Sequence, residues 1–292
     1  MTIGSLIEGG FRLIRERPGA MLIWTVIGLI AAIAASFATM AILQGSMDGL
    51  LSGESAQSVM LSSALKSMLV GLGGLIVSSI LYAAVQRAIL RPDEGGPGWL
   101  KLGMDEVRLF LLVLLYVVLF LIAIFILGLF LSPFLGRGNQ STIQLVLLVI
   151  GAVMGAYFGT KVSLTFPLTL KERAFSIGDG VRLTRGHFWT LFGAYLILFL
   201  IQFAIGIASM VVTQPEYISA IFQHGLGSPE AQQASLLEYQ KLMAGTVDAS
   251  IVVGWVLTAV QGTIGYALLG GAAATAVQQL TADQAELSET FS

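Results

Sequence analysis

The sequence predicts an all-α polytopic membrane protein with six transmembrane helices in three repeats, each an interfacial elbow helix plus two spans. An elbow helix is a short amphipathic helix lying on the membrane surface before a span. The chain is 56% hydrophobic and only 11% charged, whereas water-soluble proteins carry about 25% charged residues. Its apolar residues form runs close to the roughly 20 residues that a helix needs to cross a bilayer. The third observation is a basic motif that recurs before these runs.

The recurring motif reads GFRLIR over residues 10–15 and GVRLTR over residues 180–185, with a weaker copy, VRL, at residues 107–109. An acidic residue precedes the first arginine of each copy by three or four positions: Glu8, Asp105 and Asp179. The motif divides a single membrane domain, residues 1–292, into repeat units of about 1–91, 97–170 and 171–280. A polar tail, residues 281–292, follows.

The first repeat begins with an amphipathic segment, residues 3–16, whose apolar side we expect to face lipid. Pro18 and Gly19 then change the chain direction. The first span covers about 20–43 and the second about 64–90, joined by a loop without lysine or arginine up to about residue 58. Because the basic leader is itself amphipathic, we expect an elbow helix here rather than a signal peptide.

The second repeat follows a turn-rich linker, residues 91–98. It consists of an elbow helix over about 99–108, a third span over 109–131, and a fourth span that starts near 143. The end of the fourth span stays open. The helix either leaves the bilayer near Lys161 or continues, straight or kinked, past Pro167.

The third repeat begins with an elbow helix over about 176–186. The sequence His187-Phe188-Trp189 follows, and aromatic residues of this kind are typical of a membrane interface. The fifth span covers about 190–212 and the sixth about 250–278. Between them, residues 215–223 and 229–244 predict an extracytoplasmic helical hairpin, because each segment starts with proline and precedes a glycine. Small residues predict close helix contacts in the second, fourth and sixth spans, at Gly71, Gly73, Gly74, Gly151, Gly155, Gly254, Thr258 and Gly262.

The basic residues predict the orientation of the chain, since lysine and arginine near span ends stay in the cytoplasm. The first elbow helix and segments 87–108 and 161–185 carry nearly all of them. Six spans with cytoplasmic N- and C-termini place all three segments on the same side.

Five arginines of the elbow helices are candidates for binding anionic lipid or phosphate: Arg12, Arg15, Arg108, Arg182 and Arg185. The simpler interpretation is that they set topology and attract anionic lipid in general. Lys161 either belongs to an ion or proton pathway or extends its ammonium to the interface. Gln202 and Gln261 lie within spans, where polar side chains often bond across helices.

No catalytic or metal-binding pattern is present in the sequence. Asp93, Glu94, Asp105 and Glu106 either chelate a divalent cation or form a solvated loop neutralised by nearby basic residues, and we favour the loop. His187 and His224 fall on opposite sides of the predicted topology, so they cannot share a metal. The chain has no cysteine, no Gly-rich phosphate loop and no nucleophile elbow. We therefore expect no cofactor, no metal and no catalytic residue.

These features predict a non-enzymatic integral membrane protein that binds lipid or a protein partner through its cytoplasmic elbow helices. The alternative is a transporter, permease or channel-like component, including a homo-oligomeric one. The span interiors lack aspartate, glutamate and arginine, which coupled transporters commonly use midway through the membrane. A membrane enzyme acting on lipids is the third interpretation. We expect no nucleic-acid partner.

The layout resembles the YciC-like bacterial inner-membrane proteins. The resemblance depends on the basic segment before the first span, the Pro/Gly linker before the third, and the sequence FSIGDGVRLTRGHFW at residues 175–189. That family is grouped with the membrane domain fused to some glycerophosphoryl diester phosphodiesterases. The resemblance implies a bacterial inner-membrane location and six spans, but no reaction, because the phosphodiesterase catalytic domain has no counterpart in this chain.

Overall fold

The computed structural model describes residues 1–135, 140–225, 228–244 and 247–290, and every regular element in these ranges is helical. Six of the described helices are long and apolar enough to cross a membrane. The predicted all-helical fold is therefore confirmed for these ranges, and the six helices are compatible with a multi-pass membrane protein. Residues 136–139, between the predicted third and fourth spans, lie outside the described residues.

The first half of the chain contains α1 (Ile3–Glu16), α2 (Pro18–Leu51), α3 (Ala56–Leu90), α4 (Met104–Leu135) and α5 (Gln140–Val162). Two 3₁₀ turns, Pro92–Glu94 and Pro97–Trp99, lie between α3 and α4. The second half contains α6 (Thr165–Glu172), α7 (Ile177–Arg185), α8 (Phe188–Thr213), α9 (Pro215–His224), α10 (Pro229–Met243) and α11 (Ala249–Thr290).

The long helices expose apolar side chains along whole faces. On α2, Leu22, Val26 and Ile30 repeat every fourth residue and are 69%, 54% and 63% exposed. Soluble monomers rarely expose a contiguous apolar patch larger than a few hundred Å². Such a face is typical of a helix surrounded by lipid.

The chain divides into two compact units. Unit 1 comprises 1–17, 79–198 and 266–292, and unit 2 comprises 18–78 and 199–265. Of the lysines and arginines that the structure describes, all except Lys66 and Lys241 belong to unit 1. The buried residues Ala83, Leu109, Leu112 and Leu170 form an apolar core in unit 1 that joins α3, α4 and α6.

Polar contacts link several helices of unit 2. The hydroxyls of Ser46 and Ser63 lie 2.6 Å apart, which links α2 to α3. The indole Nε1 of Trp255 donates to Ser36 Oγ at 2.9 Å, which links α11 to α2. The two short helices α9 and α10 pack against each other.

The structure corrects the predicted second elbow helix. Residues 99–103 form no separate helix, and α4 begins at Met104 and continues through the third apolar run. The copy of the motif at residues 107–109 is therefore the first part of a spanning helix.

The helix breaks between α5, which ends at Val162, and α6, which begins at Thr165. The segment long and apolar enough to cross a membrane, Leu148–Glu172, continues across this break. Pro167 lies in the first turn of α6, where backbone N–H groups have no partner within the helix. Proline therefore costs no helical hydrogen bond at this position. The predicted tail is also helical as far as Thr290, since α11 continues through it.

The predicted small-residue contacts are mostly wrong. A Cβ atom added at Gly71, Gly73, Gly74 or Gly151 would meet no described atom within 4 Å. The same holds for Gly262, and Gly155 meets only the ring of Phe120, at 3.7 Å. An added Cβ would come within 3.0 Å of another helix's backbone at Gly10 in α1, Gly180 in α7 and Gly271 in α11.

Candidate functional site

Helix α1 presents its basic side chains outward and packs its glycines inward. Leu6, Gly9, Gly10 and Leu13 are its buried residues. A Cβ atom at Gly10 would lie 2.7 Å from the backbone oxygen of Leu268 in α11. This stripe therefore packs against α11, whereas Ile3 and Phe11 of the apolar side are 37% and 43% exposed.

The two candidate arginines of α1 lie on its open side. Arg12 and Arg15 are both exposed. Thr2 caps the helix by accepting from the backbone N–H of Ser5 at 3.2 Å. The cap and the contact with α11 hold the helix in place, so both guanidinium groups remain at the surface.

Helix α7 repeats this arrangement against a different neighbour. A Cβ atom at Gly180 would lie 2.6 Å from the Cα of Thr165 in α6. The side chain of Arg182 is 81% exposed, and its nearest carboxylate oxygen, on Asp179, is 3.7 Å away. Arg185 is also exposed. The glycine of each motif is thus the packing position, and the arginine two residues later points to the surface.

The weaker copy of the motif has Glu106 where the other two have glycine. The Glu106 carboxylate accepts a hydrogen bond from Arg87 Nη2, and the two side chains are 7% and 1% exposed. Arg87 Nη1 also donates to the backbone oxygen of Trp99, at 2.6 Å. Arg108, the candidate residue of this copy, donates to Asp105 Oδ1 at 3.0 Å and is 24% exposed. This copy is therefore part of an ion-pair network rather than a free basic surface.

The network extends from the start of α4 to the segment after α6. Arg91 Nη1 lies 3.0 Å from Asp105 Oδ2, and its Nη2 donates to the backbone oxygen of Leu170. Glu94 accepts from Lys101 at 3.2 Å and from Arg173 at 2.5 Å. The expectation of a solvated acidic loop is wrong for Glu106, which is buried. The predicted neutralisation by Arg91, Lys101 and Arg108 is confirmed.

The carboxyl of Glu94 shows the electrostatic effect of this network. Burial alone would raise its pKa. The hydrogen bonds from Arg173 and Lys101 and the positive charge of Arg91 act in the opposite direction and prevail, so the pKa of Glu94 lies below its ordinary value of 4.5. Glu94 is therefore a stable anion at neutral pH.

The linker itself is shaped by two residues with positive φ, Gly98 at 63° and Trp99 at 53°. The Trp99 indole donates to the backbone oxygen of Pro92 at 3.2 Å, which closes the linker on itself. The guanidinium of Arg17 lies 4.6 Å from the centroid of the Trp99 ring, in a cation–π contact.

The polar candidates within the spans have local partners. Lys161 Nζ lies 3.1 Å from Tyr157 Oη and 5.2 Å from the centroid of that ring, in the last turn of α5. Gln202 Nε2 donates to the backbone oxygen of Gln261 at 2.7 Å, which joins α8 to α11. Among the described residues, no group of three His, Cys, Asp or Glu side chains is placed to hold a metal ion.

Sequence reasoning missed Arg87 and Arg173 as members of the network. Arg87 and Arg91 stand at the end of an otherwise apolar run, and four carboxylates follow within the next 15 residues. That proximity was a usable signal for ion pairing. The contribution of Arg173, far away in the sequence, had no such signal.

No protein-family model, curated protein or solved structure matches this chain.

Proposed function

We propose that this chain is a non-enzymatic, multi-pass protein of the bacterial inner membrane that binds anionic lipid headgroups through α1 and α7. Its resemblance to the YciC-like proteins is part of the same proposal. Both termini lie in the cytoplasm, and α9 and α10 form a hairpin outside it. The concentration of lysine and arginine in the first elbow helix and in segments 87–108 and 161–185 supports this orientation.

The observation that carries the proposal is the exposure of four arginines on two helices whose opposite faces are packed. Arg12, Arg15, Arg182 and Arg185 are all exposed, and the closest carboxylate described beside any of them is that of Asp179, at 3.7 Å. Each basic residue close to an anionic membrane surface contributes about 1 kcal/mol to binding. Two anchored helices with paired guanidinium groups therefore attract phosphate-bearing headgroups.

The experiment compares lipid retention by the purified chain and by a variant with Arg12, Arg15, Arg182 and Arg185 replaced by glutamine. Both proteins are extracted in detergent from vesicles of equal phosphatidylglycerol and phosphatidylcholine content, and the retained lipids are quantified by mass spectrometry. We expect the wild type to be enriched in phosphatidylglycerol and the variant to lose most of that enrichment. Because exposed charges are screened, 1 M salt produces the same loss.

The matched control is Lys66→Gln, which removes an exposed cation of unit 2. This variant keeps the wild-type lipid profile. Equal enrichment in the wild type and in the four-arginine variant would disprove the proposal. Solute flux in liposomes that is lost in an Arg182→Ala/Arg185→Ala variant would favour a transporter instead.

A further inference from the structure

A cavity of about 440 Å³ opens beside the start of α4, within unit 1. Four basic side chains and two acidic ones line it, so the wall carries an excess of positive charge. The lining residues are Arg87, Lys101, Leu102, Gly103, Met104, Asp105, Glu106, Arg108 and Arg173. Its volume lies within the range of about 300–1,000 Å³ that is common for small-molecule sites.

Arg87 provides a buried positive charge in the wall of this cavity. Its side chain is 1% exposed. Two of its terminal N–H groups bond to Trp99 and Glu106, while its Nε, which is also buried, has no hydrogen-bond partner in the described part of the chain. Buried donors are almost always satisfied in folded proteins. The Nε atom itself is inaccessible, and Arg87 adds positive charge to the cavity that it lines.

The other cations of the wall keep donors for a ligand. Lys101 and Arg173 donate to Glu94, and Arg108 donates to Asp105. An ammonium has three N–H groups and a guanidinium has five, so each side chain uses only part of its capacity in these bonds. The first-turn N–H groups of α4, which have no partner within the helix, add partial positive charge at the same place.

The rim of the cavity is apolar. Leu102 and Met104 are 85% and 64% exposed, although both adjoin charged residues. A free phosphate in water gains nothing from such a rim. A phospholipid does, because its glycerol and acyl chains extend from the phosphate into an apolar environment.

We propose that this cavity is a specific site for the phosphate group of one anionic phospholipid, with Leu102 and Met104 against the acyl chains. The inference deepens the function proposed above and depends on it for the location of this surface at the membrane. The cavity is expected to bind one phospholipid and then be saturated. The exposed arginines of α1 and α7, in contrast, attract several headgroups at the same time.

The test uses native mass spectrometry of the full, delipidated chain in detergent. Four ligands are titrated separately: dioleoylphosphatidylglycerol, dioleoylphosphatidylcholine, glycerol 3-phosphate and inorganic phosphate. We expect one phosphatidylglycerol to bind first and saturate, well before phosphatidylcholine or the soluble phosphates. The variant Lys101→Gln/Arg108→Gln weakens this first binding step roughly 30-fold, because two cations near the phosphate are lost.

One further variant distinguishes binding in this cavity from binding by the exposed arginines. A second variant distinguishes binding of a lipid from binding of free phosphate. The four-arginine variant of α1 and α7 keeps the first binding step and loses the later ones, so failure of this inference is distinguishable from failure of the proposed function. Leu102→Ser weakens phosphatidylglycerol binding and leaves glycerol 3-phosphate binding unchanged. The control Phe222→Ser, which removes an equally exposed apolar side chain of unit 2, changes neither.

An unchanged first step in Lys101→Gln/Arg108→Gln, with wild-type thermal stability, would overturn the proposal. Equal affinity for phosphatidylglycerol and phosphatidylcholine would overturn it as well. If inorganic phosphate bound as tightly as the lipid and Leu102→Ser had no effect, the assignment to a lipid would be wrong.

Discussion

Helices α1 and α7 differ from the third copy of their motif at one decisive position. In α1 and α7, a glycine stands two residues before the first arginine and touches the backbone of a neighbouring helix. At the start of α4, the same position is Glu106, which forms a buried pair with Arg87. The three copies of the motif therefore have similar sequences but two different structural roles.

The difference follows from side-chain size and charge. A helix can approach a neighbouring backbone closely only where no Cβ intervenes, so Gly10 and Gly180 allow their helices to dock while the arginines remain in solvent. A glutamate at this position prevents such docking. Its buried carboxylate instead requires a cation, and Arg87 and the surrounding linker supply one.

The largest expected effect comes from breaking the buried pair. Glu106→Ala leaves the Arg87 guanidinium buried without its carboxylate, and we expect the free energy of unfolding to fall by about 3–5 kcal/mol. Equilibrium unfolding in mixed micelles measures this loss. Asp93→Ala, an exposed carboxylate of the same linker, changes stability by less than about 0.5 kcal/mol. A loss below about 1 kcal/mol for Glu106→Ala would show that the pair is not the organising contact of this copy.

A smaller effect is expected from filling the glycine contacts. Gly10→Ala and Gly180→Ala place a methyl group against helix backbone, and overpacking of this kind costs about 1–3 kcal/mol. Gly4→Ala in α1 and Gly178→Ala in α7 are matched controls, since their Cβ atoms would meet no described atom within 4 Å. These two are neutral or stabilise by up to about 1 kcal/mol, because alanine favours helix. Equal effects at all four positions, measured by thermal unfolding, would contradict the docking role.

The smallest effect concerns pH. The pKa of Glu94 is lowered in the folded chain, so its ion pairs stabilise the fold above its ordinary value of 4.5 and cease to do so as pH falls through the lowered pKa. Glu94 is 29% exposed, and ion pairs of this exposure contribute about 0–1 kcal/mol. Glu94→Gln should therefore be slightly less stable than wild type at neutral pH and equal to it in acid. A constant difference in unfolding temperature down to about pH 3 would exclude this ionic role.

Sequence reasoning succeeded where the signal was local and failed where it depended on a distant neighbour. The amphipathic pattern of residues 3–16 correctly predicted α1, and the segment 176–186 correctly predicted α7. The same pattern at 99–108 did not predict that Glu106 would be buried. Burial of that carboxylate depends on Arg87, which belongs to another helix.

The glycines illustrate the same limit. Gly71, Gly73 and Gly74 lie in an apolar run and suggested close packing, yet no described atom lies within 4 Å of their Cβ positions. Gly10 and Gly180, which lie near charged residues, do touch the backbone of another helix. Glycine spacing shows where a close approach is sterically allowed, whereas the partner's position determines whether it occurs.

The sequence by itself determined the all-helical membrane class, the six apolar runs and the concentration of basic residues in particular segments. These properties follow from residue composition and from a local period of 3.6 residues, which need no knowledge of distant contacts. Only the tertiary structure decided which arginines are exposed and which are paired. The reason is that the solvation and ion pairing of a charge depend on side chains many residues away, such as Arg173 beside Glu94.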